Sequence, residues 1–378
     1  MHLLIVPSEY PSKDHKLGGI FIKEQRNILK NKIKVGIIHI YLFSIFNLMK
    51  IKFLEFKNTS KKEKFYRISF LRLPKLKLLN YYIHYFFFNL LFKKYIRNHG
   101  RPDIIHAHFS EFTVYTLLKI KKKYKIPYVI TEHSTDFLDG RFLSQYNQNS
   151  FSFKIVKKGF EEAKYVLCVS SVLKIKLKRI FNLRNLFVVH NFTKIKKTQY
   201  NKIYDFIFVG DLIERKNPLL LIKAYKEYFK SSKKKLVIIG NGKLLNKLKN
   251  YIFFHNLKNV ILLNNIKRNE VLKKISQSKI IISTSRYETF GISLIEGLSY
   301  GLKILSTDSG GPRDIVTKSN GLLLKRKDST YKKLGYSMKK LSGLKINKKK
   351  IISQHRKKFS EDVILEKLIT IYKKSLKN

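Results

Sequence analysis

The chain has 378 residues, 44% of them hydrophobic, and a formal net charge of +54 at pH 7. That length suits two domains with substantial cores, and the single cysteine, Cys168, excludes a framework of disulfides within the chain. Lys and Arg number 37 in residues 1–195 and 42 in residues 196–378. The positive charge is therefore not gathered in one tail or stripe, which argues against a nucleic-acid-binding protein.

The first half of the chain alternates apolar, strand-like runs with helical patterns. Such alternation is typical of a parallel sheet with helices on both faces. The N-terminus has no basic segment and no long apolar run, so we predict no signal peptide. We predict strands at 2–6, 35–40, 65–71, 103–107, 128–131, 165–169 and 186–189, and helices at 20–30, 112–122 and 154–163, with Ser170 at the start of a further helix.

The most apolar stretch covers residues 78–92. It is too short to span a bilayer, and Asn80, His84 and Asn89 interrupt it. Three basic residues follow it, at positions 93, 94 and 97. The stretch fits a helix packed beneath the first domain or a helix lying partly against lipid, and the sequence leaves both possibilities open.

A polar, basic segment at 193–202 predicts an inter-domain linker, after which the alternation begins again. We expect domains at 1–195 and 203–360, and a C-terminal helical segment at 361–378. In the second domain we predict strands at 205–209, 235–239, 260–263, 279–283, 303–306 and 321–324, and helices at 218–229, 243–253, 270–276, 291–300, 330–341 and 361–376.

The most informative motif places Glu288 and Glu296 eight residues apart, across the end of a predicted core strand, a turn and an apolar helix. Carboxylates seldom occupy apolar surroundings without a partner. A sugar nucleotide would supply one, because its hydroxyls donate to carboxylates. Its phosphates would suit the N–H groups at the helix start, from Phe290 to Ser293.

This motif resembles the donor site of the family 4 retaining glycosyltransferases, whose signature is a Glu, seven residues and a second Glu. The resemblance implies an α/β protein with two Rossmann-like, doubly wound parallel-sheet domains facing across a cleft, the GT-B type. It implies that Glu288 holds the donor sugar and Glu296 the ribose. The donor-binding residues that it implies in this motif are Glu288, Thr289, Phe290, Gly291, Ile292 and Glu296.

Further candidates follow other strands of the second domain. Gly210 would permit a tight turn, and Arg215 with Lys216 suits a diphosphate. The resembled family has a matching Gly, Arg and Lys, so both cations are also implied to be catalytic, as stabilisers of the leaving group. Gly240 fits either a donor contact or a plain structural turn. Arg268 lies where the family contacts the base.

In the first domain, Gly18 and Gly19 precede a helix and could offer backbone amides to the donor diphosphate, or could serve only to shape the loop. The resemblance places His133 beside the reacting sugar and the acceptor, as a catalytic residue, and Asp136 could orient it or contact the acceptor. His106 and His108 share one face of a strand, as a metal pair would, but the resembled family often has this sequence without a metal, so we predict no metal site.

The resemblance implies transfer of a hexose from a UDP- or GDP-linked sugar to a hydroxyl, with retention of configuration and with no metal or other cofactor. The positive charge fits either the codon bias of an A/T-rich genome or attraction to an anionic membrane surface. With the predicted lack of a signal peptide it suggests a cytoplasmic bacterial enzyme, peripheral on the inner face of the plasma membrane. There it would act on a glycan or lipid-linked acceptor in capsule or O-antigen synthesis. A related sugar-nucleotide epimerase or hydrolase fits less well, and a basic nucleic-acid-binding protein fits least.

Overall fold

The computed structural model describes residues 1–11, 18–43, 54–59, 64–109, 111–194 and 201–377. The chain forms two compact units. The first contains Met1–Val169, Lys174–Val189 and the chain from Leu365 onward, and the second contains Ser170–Leu173 and His190–Ile364. Much of the predicted linker, residues 195–200, lies outside the described residues. The domain boundaries at 1–195, 203–360 and 361–378 stay predictions.

The first unit is built on an eight-stranded sheet, in the order β3-β4-β2-β1-β5-β6-β7-β8. All neighbouring strands are parallel except β3, which pairs antiparallel with β4. The strands are β1 (His2–Val6), β2 (Lys34–Phe43), β3 (Leu54–Thr59), β4 (Phe65–Leu71), β5 (Ile104–His108), β6 (Tyr128–Glu132), β7 (Tyr165–Cys168) and β8 (Leu186–Val188).

Seven helices occur in this part of the chain. They are α1 (Ile20–Leu29), α2 (Lys77–His99), α3 (Glu111–Tyr124), α4 (Asp136–Asp139), α5 (Arg141–Gln145), α6 (Phe151–Glu162) and α7 (Ser171–Phe181), in the residues that the structure describes. The side chain of Ser170 accepts from the N–H of Leu173 at 3.3 Å, so the predicted N-cap of α7 is confirmed.

The second unit contains a six-stranded parallel sheet, in the order β11-β10-β9-β12-β13-β14. This is the doubly wound order of a Rossmann sheet, in which all strands are parallel and the order of successive strands reverses between the first strand in the chain, β9, and the fourth, β12. The strands are β9 (Tyr204–Val209), β10 (Leu236–Ile239), β11 (Val260–Leu263), β12 (Ser278–Ser283), β13 (Lys303–Thr307) and β14 (Gly321–Leu324).

The remaining helices are α8 (Pro218–Phe229), α9 (Leu245–Phe254), α10 (Arg268–Ser276), α11 (Ile292–Ser299), α12 (Tyr331–Gly343), α13 (Lys348–Phe359) and α14 (Glu361–Leu376). Short 3₁₀ turns lie at Gly311–Asp314 and Arg326–Asp328. From Leu365 onward, α14 belongs to the first unit, where the Tyr372 hydroxyl lies 2.7 Å from Nδ1 of His106.

The predicted fold class is confirmed, because the second sheet is wholly parallel, the first is parallel apart from β3, and helices alternate with the strands in both. The sheets form where apolar runs are buried on both faces, as in the wholly buried strand β1. Among the described elements, the sequence did not predict the antiparallel edge strand β3, the short helices α4 and α5, or the helix α13. No described helix is both long enough and apolar enough to cross a membrane.

Candidate active site

The candidate site of the second unit lies where the strand order of its sheet reverses. Strands β9 and β12 are hydrogen-bonded neighbours there, and each is followed by a loop at its carboxyl end. Open α/β sheets bind ligands at this position, because helices leave from opposite faces of the sheet on the two sides of it. The loop after β9 carries Arg215 and Lys216, and the loop after β12 carries Glu288.

Hydrogen bonds fasten the two loops to each other. The hydroxyl of Thr284 donates to the carbonyls of Lys216, at 3.0 Å, and Asn217, at 2.9 Å. The N–H of Arg286 donates to the carbonyl of Arg215 at 2.8 Å. The Arg215 guanidinium in turn donates to the carbonyl of Tyr287 at 3.3 Å. These bonds fix the backbone that carries the charged side chains, so the site is preorganised.

Glu288 and Lys216 form an ion pair in which both side chains are largely buried, with 12% and 19% of their surface exposed. Burial raises the pKa of the Glu288 carboxyl. The ammonium group of Lys216, the guanidinium of Arg215 and the N–H of Phe290 outweigh that effect, so the pKa lies below its ordinary value. Glu288 is therefore an ionised carboxylate held beside two cations.

The loop after β13 supports the backbone of Glu288. The N–H of Glu288 donates to the carbonyl of Ser309 at 2.9 Å, and the N–H of Gly311 donates to the carbonyl of Glu288 at 2.7 Å. A Cβ at Gly311 would lie 2.4 Å from Cα of Phe290, so only glycine allows this approach. The segment that contains Gly310 and Gly311 thus supports the backbone that carries Glu288.

Helix α11 begins directly after Glu288. Gly291, at its N-cap, has φ 113°, a conformation that side-chain-bearing residues rarely adopt. Thr289 and the ring of Phe290 are buried, and that ring stacks on His190 with a centroid separation of 5.6 Å. The ring of Phe290 is therefore packed inside the second unit, while its N–H serves the Glu288 carboxylate. The N–H of Ile292, the first helical residue, lies at the positive end of the helix.

Glu296 projects from α11 and is only 2% exposed. Its carboxylate accepts a hydrogen bond from the Arg268 guanidinium, at the first residue of α10. Arg268 is itself 31% exposed. Sequence reasoning assigned Glu296 to the ribose and Arg268 to the base, but did not predict that they are partners. The pair supplies the charge compensation that a buried carboxylate requires.

The two glycines that directly follow β9 and β10 differ in their steric surroundings. A Cβ at Gly210 would make ordinary contacts, 3.7 Å from the Phe208 ring and 3.8 Å from Cδ of Lys216. Its φ is not among the positive values, so neither the backbone conformation nor the space around position 210 requires a glycine. A Cβ at Gly240 would lie 1.9 Å from the carbonyl oxygen of Gly210. The close approach of these two loops is what requires glycine at 240.

Asp314 is a residue whose importance the sequence did not indicate. Its carboxylate lies 3.0 Å from Nε2 of His190 and accepts from the N–H of Ser171 at 2.7 Å and from the Ser171 hydroxyl. Burial raises its pKa, but these hydrogen bonds outweigh burial and lower the pKa to about 2. The signal available in the sequence was the Gly311-Pro312 turn, because Asp314 closes the 3₁₀ turn that begins there.

In the first unit, His133 follows β6 and is held by His108. Nε2 of His133 lies 2.9 Å from Nδ1 of His108, and the two rings stack with an interplanar angle of 14°. Phe21 covers His133 at a centroid distance of 4.5 Å. Burial lowers the pKa of His133 to about 3. The imidazole is therefore neutral near pH 7 and can give or accept a hydrogen bond but cannot supply a formal positive charge.

The neighbours of His133 have partners of their own. The ring of His106 lies 2.7 Å from the hydroxyls of Tyr372 and Thr131. Asp136 forms an ion pair with Arg141 at 2.6 Å, so the ion-pair partner of this carboxylate is Arg141 rather than His133. No group of three or more metal-binding side chains occurs in the described ranges. The two histidines of β5 thus belong to a buried hydrogen-bonded network.

Gly18 and Gly19 precede α1, and both are buried. Gly19 is the N-cap, with φ 61°, and a Cβ there would lie 2.1 Å from the carbonyl oxygen of Glu9. Glycine at position 19 thus has a conformational reason. Residues 16 and 17 of the predicted loop lie outside the described residues.

The structure brings together Arg215, Lys216 and Glu288, with the start of α11 next to them in the chain, and it pairs Glu296 with Arg268 in the same unit. His133, Asp136, Gly18 and Gly19 belong to the other unit. The roles that the sequence assigned to these residues stay predictions. The groups of the second unit can bind an anion and accept hydrogen bonds from hydroxyls.

Almost all of the second unit matches the model of a known protein family. Residues 190–358 match the model described as "Glycosyl transferases group 1", and residues 54–197 match "Glycosyltransferase Family 4". An uncharacterized glycosyltransferase of Methanocaldococcus jannaschii is 29% identical over 229 residues. The match covers 59% of this chain and 61% of that relative, less than two thirds of its length.

Solved structures share the fold. Sucrose-phosphate synthase from Thermosynechococcus elongatus superposes with a TM-score of 0.76 at 14% identity, over 99% of each chain. The lipopolysaccharide outer core galactosyltransferase WaaB superposes with a TM-score of 0.72 at 19% identity, over 98% of this chain and 99% of that one. At such identities the likeness shows the fold alone, which is the predicted GT-B type.

Proposed function

Because the chain belongs to the group 1 glycosyltransferases of family 4, we propose that it transfers a hexose from a nucleoside diphosphate sugar to an acceptor hydroxyl, with retention of configuration. The observation that carries the proposal is the buried ion pair of Lys216 and Glu288. It lies where the strand order of the second sheet reverses, and Glu288 shortly precedes the start of α11 in the chain. A diphosphate needs cations and N–H groups, and a sugar needs a fixed hydroxyl acceptor.

In this proposal the diphosphate lies against Arg215, Lys216 and the first N–H groups of α11. The bond from the anomeric carbon to the diphosphate oxygen breaks, and a bond from that carbon to the acceptor oxygen forms. The acceptor proton passes to the departing diphosphate. The cations stabilise the leaving group, so the reaction needs no divalent metal ion.

The carboxylates then have separate tasks. Glu288, kept ionised by Lys216, accepts hydrogen bonds from the hydroxyls of the donor sugar and holds Lys216 in place. Glu296 accepts from the ribose hydroxyls while it remains paired with Arg268. His133 of the first unit contacts the acceptor as a neutral imidazole, in keeping with its lowered pKa.

For the acceptor we propose a lipid-linked glycan at the cytoplasmic face of a bacterial plasma membrane, in the synthesis of a surface polysaccharide such as capsule or O-antigen. The formal charge of +54 supports this, since basic proteins are attracted to anionic lipid surfaces. One structural neighbour is a lipopolysaccharide outer core galactosyltransferase, whereas another is a sucrose-phosphate synthase. The proposal of a lipid-linked acceptor therefore rests mainly on the positive charge of the chain.

The test begins with the donor. A thermal-shift panel of UDP-, GDP- and ADP-sugars should raise the Tm with one nucleotide, and the rise should persist in EDTA. An acceptor screen with that donor should then give a glycoside of unchanged anomeric configuration. Turnover of donor in the absence of any acceptor would instead indicate an epimerase or hydrolase, and no stabilisation by any nucleotide sugar would contradict the proposal.

A further inference from the structure

Helix α2 buries one face and exposes an apolar stripe on the other. Tyr81, Phe88 and Phe92 are buried, as the core of the first unit requires. Leu78, Tyr82, Phe86 and Leu90, each four residues from the next, are 53%, 57%, 62% and 41% exposed. Residues four apart lie on one side of a helix, so these four form a continuous stripe over more than three turns. An exposed apolar patch of this kind marks an interaction surface.

A lysine-lined groove borders this stripe. The rings of Tyr82 and Tyr115 meet edge to face with a centroid separation of 5.8 Å, so that Tyr82 belongs to both features. The groove has a volume of about 840 Å³ and runs along α3, α6 and the end of α14. Seven lysines line it, against one acidic residue, Glu162. Lys121 and Lys158 approach Glu162, at 3.5 Å and 3.9 Å, which leaves a strongly positive rim.

We propose that the stripe and the groove together form a docking face for an anionic lipid bilayer. Leucine and aromatic side chains enter the boundary between headgroups and acyl chains, and lysines beside them contact anionic headgroups. Each lysine near such a surface strengthens binding by roughly fivefold. The docking face would give the proposed enzyme access to a lipid-linked acceptor, and only this purpose rests on the proposed function. The contact itself requires no sugar transfer.

Charge selects a bilayer over the other occupants of an apolar face. A second copy of the chain, related by a two-fold axis, would bring the same lysine-rich rim against itself. Nucleic acid would satisfy the lysines but would leave the leucines of the stripe in water. An anionic bilayer satisfies both, because it presents negative charge above an apolar interior. Its headgroups would lie beside Lys119, Lys122 and Lys125, and its acyl chains beneath Phe86.

The absence of tryptophan from the chain allows a direct test. The Phe86→Trp variant of the full-length protein carries one reporter in the stripe. Tyr336→Trp, at a residue of α12 that is 61% exposed, is the matched control. With vesicles of phosphatidylcholine and phosphatidylglycerol at low salt, we expect emission from position 86 to shift to the blue and to be quenched by lipids brominated on the acyl chains. Emission from position 336 should change little.

Binding is then measured by flotation with the same vesicles. We expect Tyr82→Ser/Phe86→Ser/Leu90→Ser, and separately Lys119→Gln/Lys122→Gln/Lys125→Gln, to lose at least about tenfold in vesicle affinity. Tyr336→Ser/Lys339→Gln/Lys340→Gln should bind as the parent does. All three should keep the parent's Tm and its thermal shift with nucleotide sugar, so failure of docking can be distinguished from failure of the catalytic proposal.

Three results would overturn the docking face. The first is equal flotation of the parent and of the apolar triple variant, and the second is equal quenching at positions 86 and 336. The third is a parent that is dimeric without lipid and becomes monomeric in the apolar variant, because the stripe would then be an interface between copies. Binding to vesicles of phosphatidylcholine alone, unaffected by salt, would remove the role of the lysines.

Discussion

Lys216 and Glu288 stand 72 residues apart in the chain, yet their side chains form a largely buried ion pair. Each lies in a loop that follows a strand, and the two strands, β9 and β12, are neighbours only because the sheet reverses its order between them. The pair keeps Glu288 ionised and holds a cation at the same place. It therefore places a carboxylate and a cation side by side, the groups that the hydroxyls and phosphates of the proposed donor would require.

The role of Glu288 can be tested by substitution. Glu288→Gln keeps the shape but removes the charge that holds Lys216, and we expect transfer to fall by roughly 10²–10³-fold. The measurement is initial rate with the donor found in the thermal-shift panel. Glu214→Gln, in the loop after β9 and 62% exposed, should retain the parent rate. Parent-like transfer by a folded Glu288→Gln protein would remove this residue from the mechanism.

Arg268 should matter for stability as well as for donor binding. Arg268→Gln leaves the Glu296 carboxylate buried without its guanidinium partner, and we expect a loss of roughly 1–3 kcal/mol in the free energy of unfolding. Arg286→Gln is the control, because Arg286 is 58% exposed and lies 3.9 Å from Glu214. Equal Tm values for the two variants would show that the pair with Glu296 contributes nothing to stability.

Gly210 and Gly240 should respond differently to alanine. Gly210→Ala adds a methyl group in ordinary contact with its neighbours, so the Tm should remain close to that of the parent. Gly240→Ala drives a Cβ into the carbonyl oxygen of Gly210, and we expect a loss of about 2 kcal/mol or more. If the diphosphate approaches Gly210, the 210 variant should bind nucleotide sugar more weakly at unchanged Tm. Thermal melts with and without ligand separate the two effects.

Acid should destabilise the first unit through its buried histidines. Burial lowers the pKa of His84, His106 and His133 to about 3, from 6.5. Since the unfolded chain takes up protons below pH 6.5 and the folded chain does not, stability falls as the pH drops through the range from 6.5 towards 3. Each such histidine should lower the free energy of unfolding by about 2 kcal/mol at roughly pH 5, relative to its value above pH 6.5.

The measurement is the free energy of unfolding against pH, for the parent and for His84→Gln. The variant should lose up to about 1.4 kcal/mol less per pH unit than the parent over this range, because one fewer group takes up a proton on unfolding. Parallel curves would mean that His84 titrates normally in the folded protein.

Local pattern was enough to predict most elements, and the exceptions have physical reasons. Helix α13 was missed because its buried positions are Ile351, His355 and Phe359, and a histidine in the middle hides the apolar period. The hydroxyl of Thr193 lies 2.7 Å from Nε2 of His355, which lets the imidazole be buried. That partner lies 162 residues away, and no local pattern contains it.

The same limit applies to the candidate site. The sequence identified Glu288, Arg215 and Lys216 as functional candidates from their positions at predicted strand ends, and the structure joins them in one unit. It did not predict that Arg268 pairs with Glu296, that Asp314 binds Ser171, or that His108 holds His133. Each of these contacts connects residues from separate parts of the chain, so no local pattern contains it.

The sequence by itself determined the two parallel sheets, the strand ends that carry charge and the family to which the chain belongs. These follow from periodicity and from a motif, both of which are local in the chain. Tertiary structure decided which charges became partners, which histidines stay neutral and which face of α2 remains exposed. Such properties depend on burial and on the order of strands in the sheet, because a pKa or an ion pair is set by the atoms packed around a group rather than by its neighbours in the sequence.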